Sequence, residues 1–306
     1  VLVTGGAGFI GSHLVEHLLD RGAAKVVVLD RHAPGSTVSD DRVHSLREDL
    51  SSASSTSLES WVRGMDCVFH LAAEKHQSER AFPERLVRTN VVGTQALLSA
   101  AARAGVRKVV FASSVYVYGR VAGPPLNEEE PAAPRTLYGI SKRTGEMLLD
   151  HFTAVHGLES VALRIFFAYG PRQSAAQGYR TVIVKNFERL HNGLDPVVHG
   201  DGKQTLDYVY VEDVVRALCL AAECPTEHRI LNVGSGAGVS ILDLTRRMQQ
   251  VAATHRQPVQ GPADATDGTS RVADIGRIKH ALGWRPQVSL EEGLDRTLRW
   301  MKDSHR

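Results

Sequence analysis

Short apolar runs alternate with stretches of helical spacing through the first half of the chain. Residues 1–4, 25–30, 67–71, 109–112 and 161–166 are apolar almost throughout, as strands buried on both faces are. Between the first two, Leu14, Val15, Leu18 and Leu19 share one helical face over residues 12–19, and Gly22 closes the segment. Pro83 opens a helical stretch predicted to reach Ala104 and stop at Gly105. A longer helix is predicted from about Leu137 to His156, closed by Gly157. This rhythm predicts an α/β fold in which a parallel sheet carries helices on both faces.

From Gly170 the rhythm loosens, with glycines and prolines punctuating the chain to Gly202 and a second irregular patch over residues 257–269. Residues 229–234 read as a late strand. The expected division is a nucleotide-binding domain over residues 1–168, rejoined by late elements at about 205–235. A smaller, interleaved α/β substrate domain takes residues 169–204 and 236–306.

Composition narrows the class without changing the picture. Forty-two per cent hydrophobic and 23% charged residues suit a globular protein, and a net charge of +2 gives no reason to expect a nucleic-acid partner. Fourteen histidines are scattered without paired ligand spacing, so no metal is expected. Cys67, Cys219 and Cys224 form neither a disulfide framework nor a zinc pattern, which suits a reducing cytoplasm. No apolar run approaches a membrane span.

Between the first strand and first helix, Gly5, Gly8 and Gly11 form a G-x-x-G-x-x-G set that includes Phe9 and Ile10. Such glycines allow a tight turn and close backbone approach to a pyrophosphate, which the helix N-terminus stabilises by its dipole. Asp30 ends the second strand 30−11 = 19 residues after the last glycine, where a carboxylate meets a ribose hydroxyl pair. A carboxylate there favours NAD over NADP, while Arg31 is the counter-signal because an arginine can accept a 2′-phosphate. Asp49 and Leu50 are candidates for the adenine edge.

Tyr138-Gly139-Ile140-Ser141-Lys142 places a phenol and an ammonium four residues apart on the long helix, so both can point into one cleft. A free tyrosine is a poor base at neutrality; lowering its pKa by about three units takes about 4 kcal/mol of differential stabilisation. Two nearby cations, the ammonium and an oxidised nicotinamide ring, can supply that. Ser113 and Ser114 stand just beyond a buried strand, completing an ordered series of glycine fingerprint, serine and Y-x-x-x-K.

That series resembles the extended short-chain dehydrogenase/reductases, specifically the nucleotide-sugar epimerase/dehydratase group, and most of all the UDP-galactose 4-epimerase relatives. The likeness spans nearly the whole chain: TGGAGFIGSHL, Asp30, HLAAEKHQSE at 70–79, NVVGT at 90–94, FASSVYVYG at 111–119, YGISK, YGPRQ at 169–173, GDGKQTLDYVYVEDVV at 200–215 and LGWRP at 282–286. It implies a Rossmann-type doubly wound fold, NAD as cofactor, a nucleoside-diphosphate sugar (UDP-sugar first) as substrate and a homodimer built on the helices near 83–104 and 137–156. It further implies Tyr138 as base, Lys142 as its tuning cation and Ser114 as partner of the reacting hydroxyl, with Ser113 as competitor. Leu71, Ala72, Ala73, Lys75 and Asn90 would border the cofactor. Lys75, Ser114, Val115, Tyr116, Phe167 and Arg271 would border the sugar.

Two departures bear on the substrate. Phe167 stands where the family has an asparagine that contacts sugar and diphosphate, and Leu206 where it has a phosphate-gripping arginine. The resemblance implies epimerisation at C4 through a 4-keto sugar. The alternatives are a 4,6-dehydratase or ketoreductase and, outside enzymes, a catalytically silent NAD-binding sensor or scaffold, against which an intact Ser114, Tyr138 and Lys142 speak. In the related dehydratases an Asp–Glu pair follows the serine or threonine, whereas here Val115 and Tyr116 do, leaving Glu74 as a stand-in acid.

Overall fold

The computed structural model describes residues 1–32, 40–119, 123, 125–173, 181–263, 266 and 268–304. Its first half runs β1 Leu2–Thr4, α1 Phe9–Asp20, β2 Val26–Asp30, β3 Val43–Arg47, α2 Ser55–Val62 and β4 Cys67–His70. Short helices α3 Ser78–Ala81 and α4 Pro83–Val87 then lead, through a π-helical stretch at Arg88–Gly93, into α5 Thr94–Arg103. There follow β5 Lys108–Ser114, α6 Leu137–His156, β6 Glu159–Ile165, β7 Phe167–Tyr169, α7 Val182–His191, β8 Val197–His199 and β9 Thr205–Tyr210. The remainder is α8 Val211–Glu223, β10 Ile230–Val233, β11 Gly238–Ser240, α9 Ile241–Val251, β12 Val259–Gly261, β13 Ser270–Arg271, α10 Gly276–Leu282 and α11 Leu290–Ser304.

Among the described residues, β10, β6, β5, β4, β1, β2 and β3 lie side by side in that order as a seven-stranded, parallel, Rossmann-type sheet. Strand order reverses between β1 and β4, which opens a crevice at their C-terminal ends. The expected helices cover both faces: Leu14, Leu18, Val214 and Leu218 pack on one, and Leu58, Leu97, Leu98 and Leu149 on the other. A third apolar cluster, with Tyr169, Phe187, Tyr208, Leu244 and Leu298, lies under a smaller mixed sheet of β7, β9, β11 and β13. No described helix is long and apolar enough to cross a membrane.

Three features depart from the hydrophobic reading. β3 is an edge strand whose side chains are half-buried or exposed, so no apolar run announces it. The stretch from Pro83 to Arg103 is broken by the π-helical turn, because Asn90 faces inward and commits its amide to buried partners; apolar spacing does not register one extra residue per turn. Residues 205–210, expected to rejoin the large sheet, form β9 of the small one, while α8 and β10 do return. A strand buried on both faces does not declare which sheet it joins.

Two of the motif segments act as staples. The buried Asp207 carboxylate accepts from the Ser235 amide (2.7 Å) and hydroxyl (2.6 Å) and from the amides of Gly236 (3.0 Å) and Ala273 (3.1 Å). Trp284 of LGWRP is fully buried and donates Nε1–H to the Asp213 carbonyl at 2.9 Å.

Candidate active site

The crevice at the strand reversal holds a cleft of about 840 Å³, bordered by Gly5, Gly8, Phe9, Ile10, Gly11, Asp30, Arg31, Asp49, Leu50, Leu71, Ala72, Ala73, Lys75, Ser114, Tyr138 and Lys142. Its floor is bare backbone: a Cβ on Gly11 would lie 2.1 Å from the Gly5 carbonyl oxygen, so only glycine permits this turn. Gly8 caps α1 without a side chain to occupy the helix start, leaving that end to a phosphate. At the rim the Asp30 carboxylate accepts from the Ala7 amide (3.1 Å) and the His32 amide (2.9 Å). This cradle fits a dinucleotide, with phosphates over the glycine turn and a ribose at Asp30.

Arg31, the counter-signal to NAD, is engaged by a carboxylate. Its guanidinium is paired with Glu74, which also accepts from Ser78 at 2.8 Å and lies 2.9 Å from Arg85 Nε. Burial alone would raise the Glu74 pKa, but the Ser78 hydroxyl and the two guanidiniums outweigh it and hold the carboxyl below its usual range. Glu74 is therefore a carboxylate committed to these partners.

Tyr138 and Ser114 meet where this cleft adjoins a second one. Thr136 caps α6 by accepting from the Gly139 amide at 3.0 Å. A Cβ on Gly139 would lie 2.5 Å from the Tyr116 carbonyl, so glycine here lets the first turn of α6 press against the end of β5. The Tyr138 phenol is thereby within hydrogen-bonding reach of Ser114, and its ring meets Tyr116 edge-on at 5.7 Å. Burial pushes the phenol up to about 12, with Ser114 opposing. Lys142, buried one turn on, donates to the Ala112 carbonyl at 2.8 Å and stands 5.8 Å from the Tyr138 ring centre. Burial pushes its ammonium down to about 7, against the pull of Glu146.

The brace behind these groups is Asn90. It accepts from the Glu74 amide at 2.7 Å and donates to the Glu74 carbonyl and to Ser141 Oγ, each at 3.0 Å. Ser141 in turn donates to the Tyr138 carbonyl at 2.8 Å. Ser113, the competitor of Ser114, gives its hydroxyl to the buried Glu146 at 2.6 Å and is thereby occupied.

The second cleft, about 680 Å³, is bordered by Lys75, His76, Ser114, Tyr116, Tyr138, Phe167, Leu206 and Tyr208. Two expected sugar-side residues do not border it. Val115 is buried in the main core, because the 3-10 turn after β5 points it inward. Arg271 is buried with its guanidinium 5.2 Å from the Tyr116 ring, so it supports that wall from behind. The spacing analysis missed Lys185, Asn186 and Arg189 on α7, and His199 on β8, all of which border this cleft. Lys185 and Arg189 are four residues apart on one helix face, a pattern common to solvated helices and therefore silent in the sequence. They bring cations to a cleft where Phe167 and Leu206 have removed polar groups.

Fold and clefts define the class: an α/β dinucleotide-dependent enzyme with an adjoining substrate cavity. The profile of the NAD dependent epimerase/dehydratase family matches residues 1–234, and the chain belongs to that family. It is similar to the UDP-glucose 4-epimerase of Thermotoga maritima, solved with UDP-glucose (34% identity, TM-score 0.92, covering 100% of this chain and 99% of that one). It is similar also to the dTDP-glucose 4,6-dehydratase of Streptomyces venezuelae, solved with NAD (30% identity, TM-score 0.90, 99% and 97%). The UDP-N-acetyl-alpha-D-glucosaminuronate decarboxylase of Bacillus cytotoxicus is 32% identical over 99% of this chain and 97% of its own length. The protein is thus an NAD-dependent enzyme that modifies nucleotide sugars.

Proposed function

We propose that the enzyme interconverts nucleoside-diphosphate sugars, UDP-sugars foremost, that differ in configuration at C4, through a transient 4-keto sugar. The observation that carries this reading is the Ser114–Tyr138 pair at the junction of the two clefts. When bound, NAD would supply the hydride acceptor and, in reverse, the donor, together with a positive charge in its oxidised form. Gly5, Gly8, Gly11, Asp30, Leu71, Ala72 and Ala73 hold it, Asp49 and Leu50 border its adenine, and Lys142 and Lys75 reach its riboses.

Tyr138 takes the proton of the sugar 4-hydroxyl, and Ser114 orients that hydroxyl toward the phenol. Deprotonation needs the phenol to fall from its burial-raised value of about 12, and the Lys142 ammonium and the nicotinamide charge act in that direction. Elimination of the 6-hydroxyl would require a proton donor and a base at C5. The positions after Ser114 carry Val115, turned into the core, and Tyr116, while Glu74 is locked by Arg31 and Arg85. Lys185, Arg189 and His199 grip the diphosphate in place of the groups lost at Phe167 and Leu206.

The homodimer would form on the helices from α4 to α5 and on α6, where Val87 of α4, Val92 of the π-helical stretch and Ile140 and Met147 of α6 are exposed; sedimentation of wild type against Met147→Glu checks it, with a shift to monomer expected.

The test of the reaction is a panel of UDP-, dTDP- and GDP-sugars with products identified by mass spectrometry and proton NMR. A mass-neutral C4 epimer is expected. Loss of water dependent on Glu74, or loss of carbon dioxide from a uronic acid, would replace this reading with a dehydratase or a decarboxylase.

A further inference from the structure

We propose that Glu74 is a cofactor-specificity residue: by holding the Arg31 guanidinium, it withdraws from the dinucleotide cleft the cation that directly follows Asp30 and so enforces NAD over NADP. The inference rests on dinucleotide binding and not on the sugar reaction, so the two fail separately.

Arg31 and Glu74 come from different strand ends, β2 and β4, and both border the cleft. The Glu74 side chain is only 2% exposed, whereas that of Arg31 is 38% exposed. Among the described residues, Arg31 is held by Glu74 and, through Nε, by the His32 ring at 3.1 Å. To reach a 2′-phosphate it would have to abandon a buried carboxylate, leaving Glu74 to Arg85 and Ser78 alone. Stranding part of a buried charge costs more than a surface ion pair returns. The Glu74 carboxylate is also held by Ser78 and Arg85, and Asn90 fixes the backbone that carries it on both the N–H and the C=O side. A 2′-phosphate would thus meet two carboxylates, Asp30 and Glu74, with the nearby guanidinium already engaged.

The same geometry alters the expectation for Asp30. Its oxygens are held by the Ala7 and His32 amides and not by Arg31. Removing Asp30 relieves repulsion but does not release the arginine. Glu74 is the residue whose neutralisation does.

The experiment uses nucleotide-stripped protein titrated calorimetrically with NAD and NADP. Asp30→Ala is compared with Asp30→Ala/Glu74→Gln and with Asp30→Ala/Glu74→Gln/Arg31→Ala. Neutralising Glu74 is expected to improve the NADP-to-NAD affinity ratio by about tenfold, the worth of one charge-assisted contact, and removing Arg31 to abolish that gain. A ratio unchanged by Glu74→Gln, in protein that still binds NAD, overturns the proposal. Should the Glu74 variants not fold, Arg31→Ala alone decides. NADP affinity within about twofold of wild type supports the proposal, and any greater weakening shows that Arg31 already serves the phosphate and overturns it.

Discussion

Glu146 on α6 and Arg164 on β6 face each other in a two-point pairing, Nε and Nη2 each 2.9 Å from a separate carboxylate oxygen. Both side chains are almost completely buried, and Ser113 adds its hydroxyl to the same carboxylate. The pair fastens the helix that carries Tyr138 and Lys142 to the strand beside β5. Its anion also lies close enough to oppose the burial-driven neutralisation of Lys142.

Glu146→Gln leaves the Arg164 guanidinium buried against a neutral partner. A loss of about 3 to 5 kcal/mol in urea unfolding is expected. Pairing Glu146→Leu with Arg164→Met should recover most of that loss, because two apolar groups need no compensation. Recovery failing in a folded double variant would mean that the pair contributes more than mutual neutralisation.

Tyr138→Phe removes one hydroxyl and leaves the packing against Tyr116 in place. Turnover should fall by at least about a hundredfold, the low end for a lost general base, with NAD affinity unchanged. Kinetics alongside cofactor titration measure both. Turnover near wild type would move the base to another group.

Lys185 is exposed beside the second cleft, and the proposed grip on the diphosphate is by its charge. Lys185→Ala should raise KM for the nucleotide sugar by about tenfold with kcat little altered, the pattern of uniform binding. The effect should shrink as salt is added, since exposed charges are screened. A matching fall in kcat would instead place Lys185 near the reacting carbon.

His70 gives a pH dependence with a definite sign. Thr94 gives its hydroxyl hydrogen to the Asn90 carbonyl (2.7 Å), so it accepts from His70 Nε2–H at 2.9 Å. Nδ1 then accepts from Thr4 at 2.7 Å. Both nitrogens are satisfied in the neutral ring, and complete burial pushes its pKa down to about 3. The unfolded imidazole takes a proton near pH 6.5 that the native one refuses, so stability is full above that pH and drains as pH falls toward 3. By pH 4.5 the loss from this residue should be about 2 to 3 kcal/mol. Urea unfolding at pH 7 and 4.5, wild type against His70→Gln, measures it as the difference between two differences; equal losses would exclude the histidine.

The alternation of apolar strands with helical stretches, the glycine turn and the Tyr138–Lys142 spacing are local patterns, and the chain alone carried them. Chain periodicity marked α6 and its closing Gly157, because a C-terminal glycine acts within a turn of the helix it bounds. It could not mark β3, whose pairing with β2 is made by backbone hydrogen bonds and needs no apolar face. Nor could it find the π-helical turn, which exists because Asn90 has buried partners at Glu74 and Ser141, 16 and 51 residues away in sequence. The same holds at the sites. Asp30 could be placed by its distance from the glycines along a strand–turn–helix unit. The engagement of Arg31 by Glu74, the inward turn of Val115 and the arrival of Lys185 and Arg189 at the sugar cleft depend on which strand ends and helices come together. Chemistry within one element is written in residue order, whereas charge pairing between elements is decided only when the sheet brings them within a few ångströms.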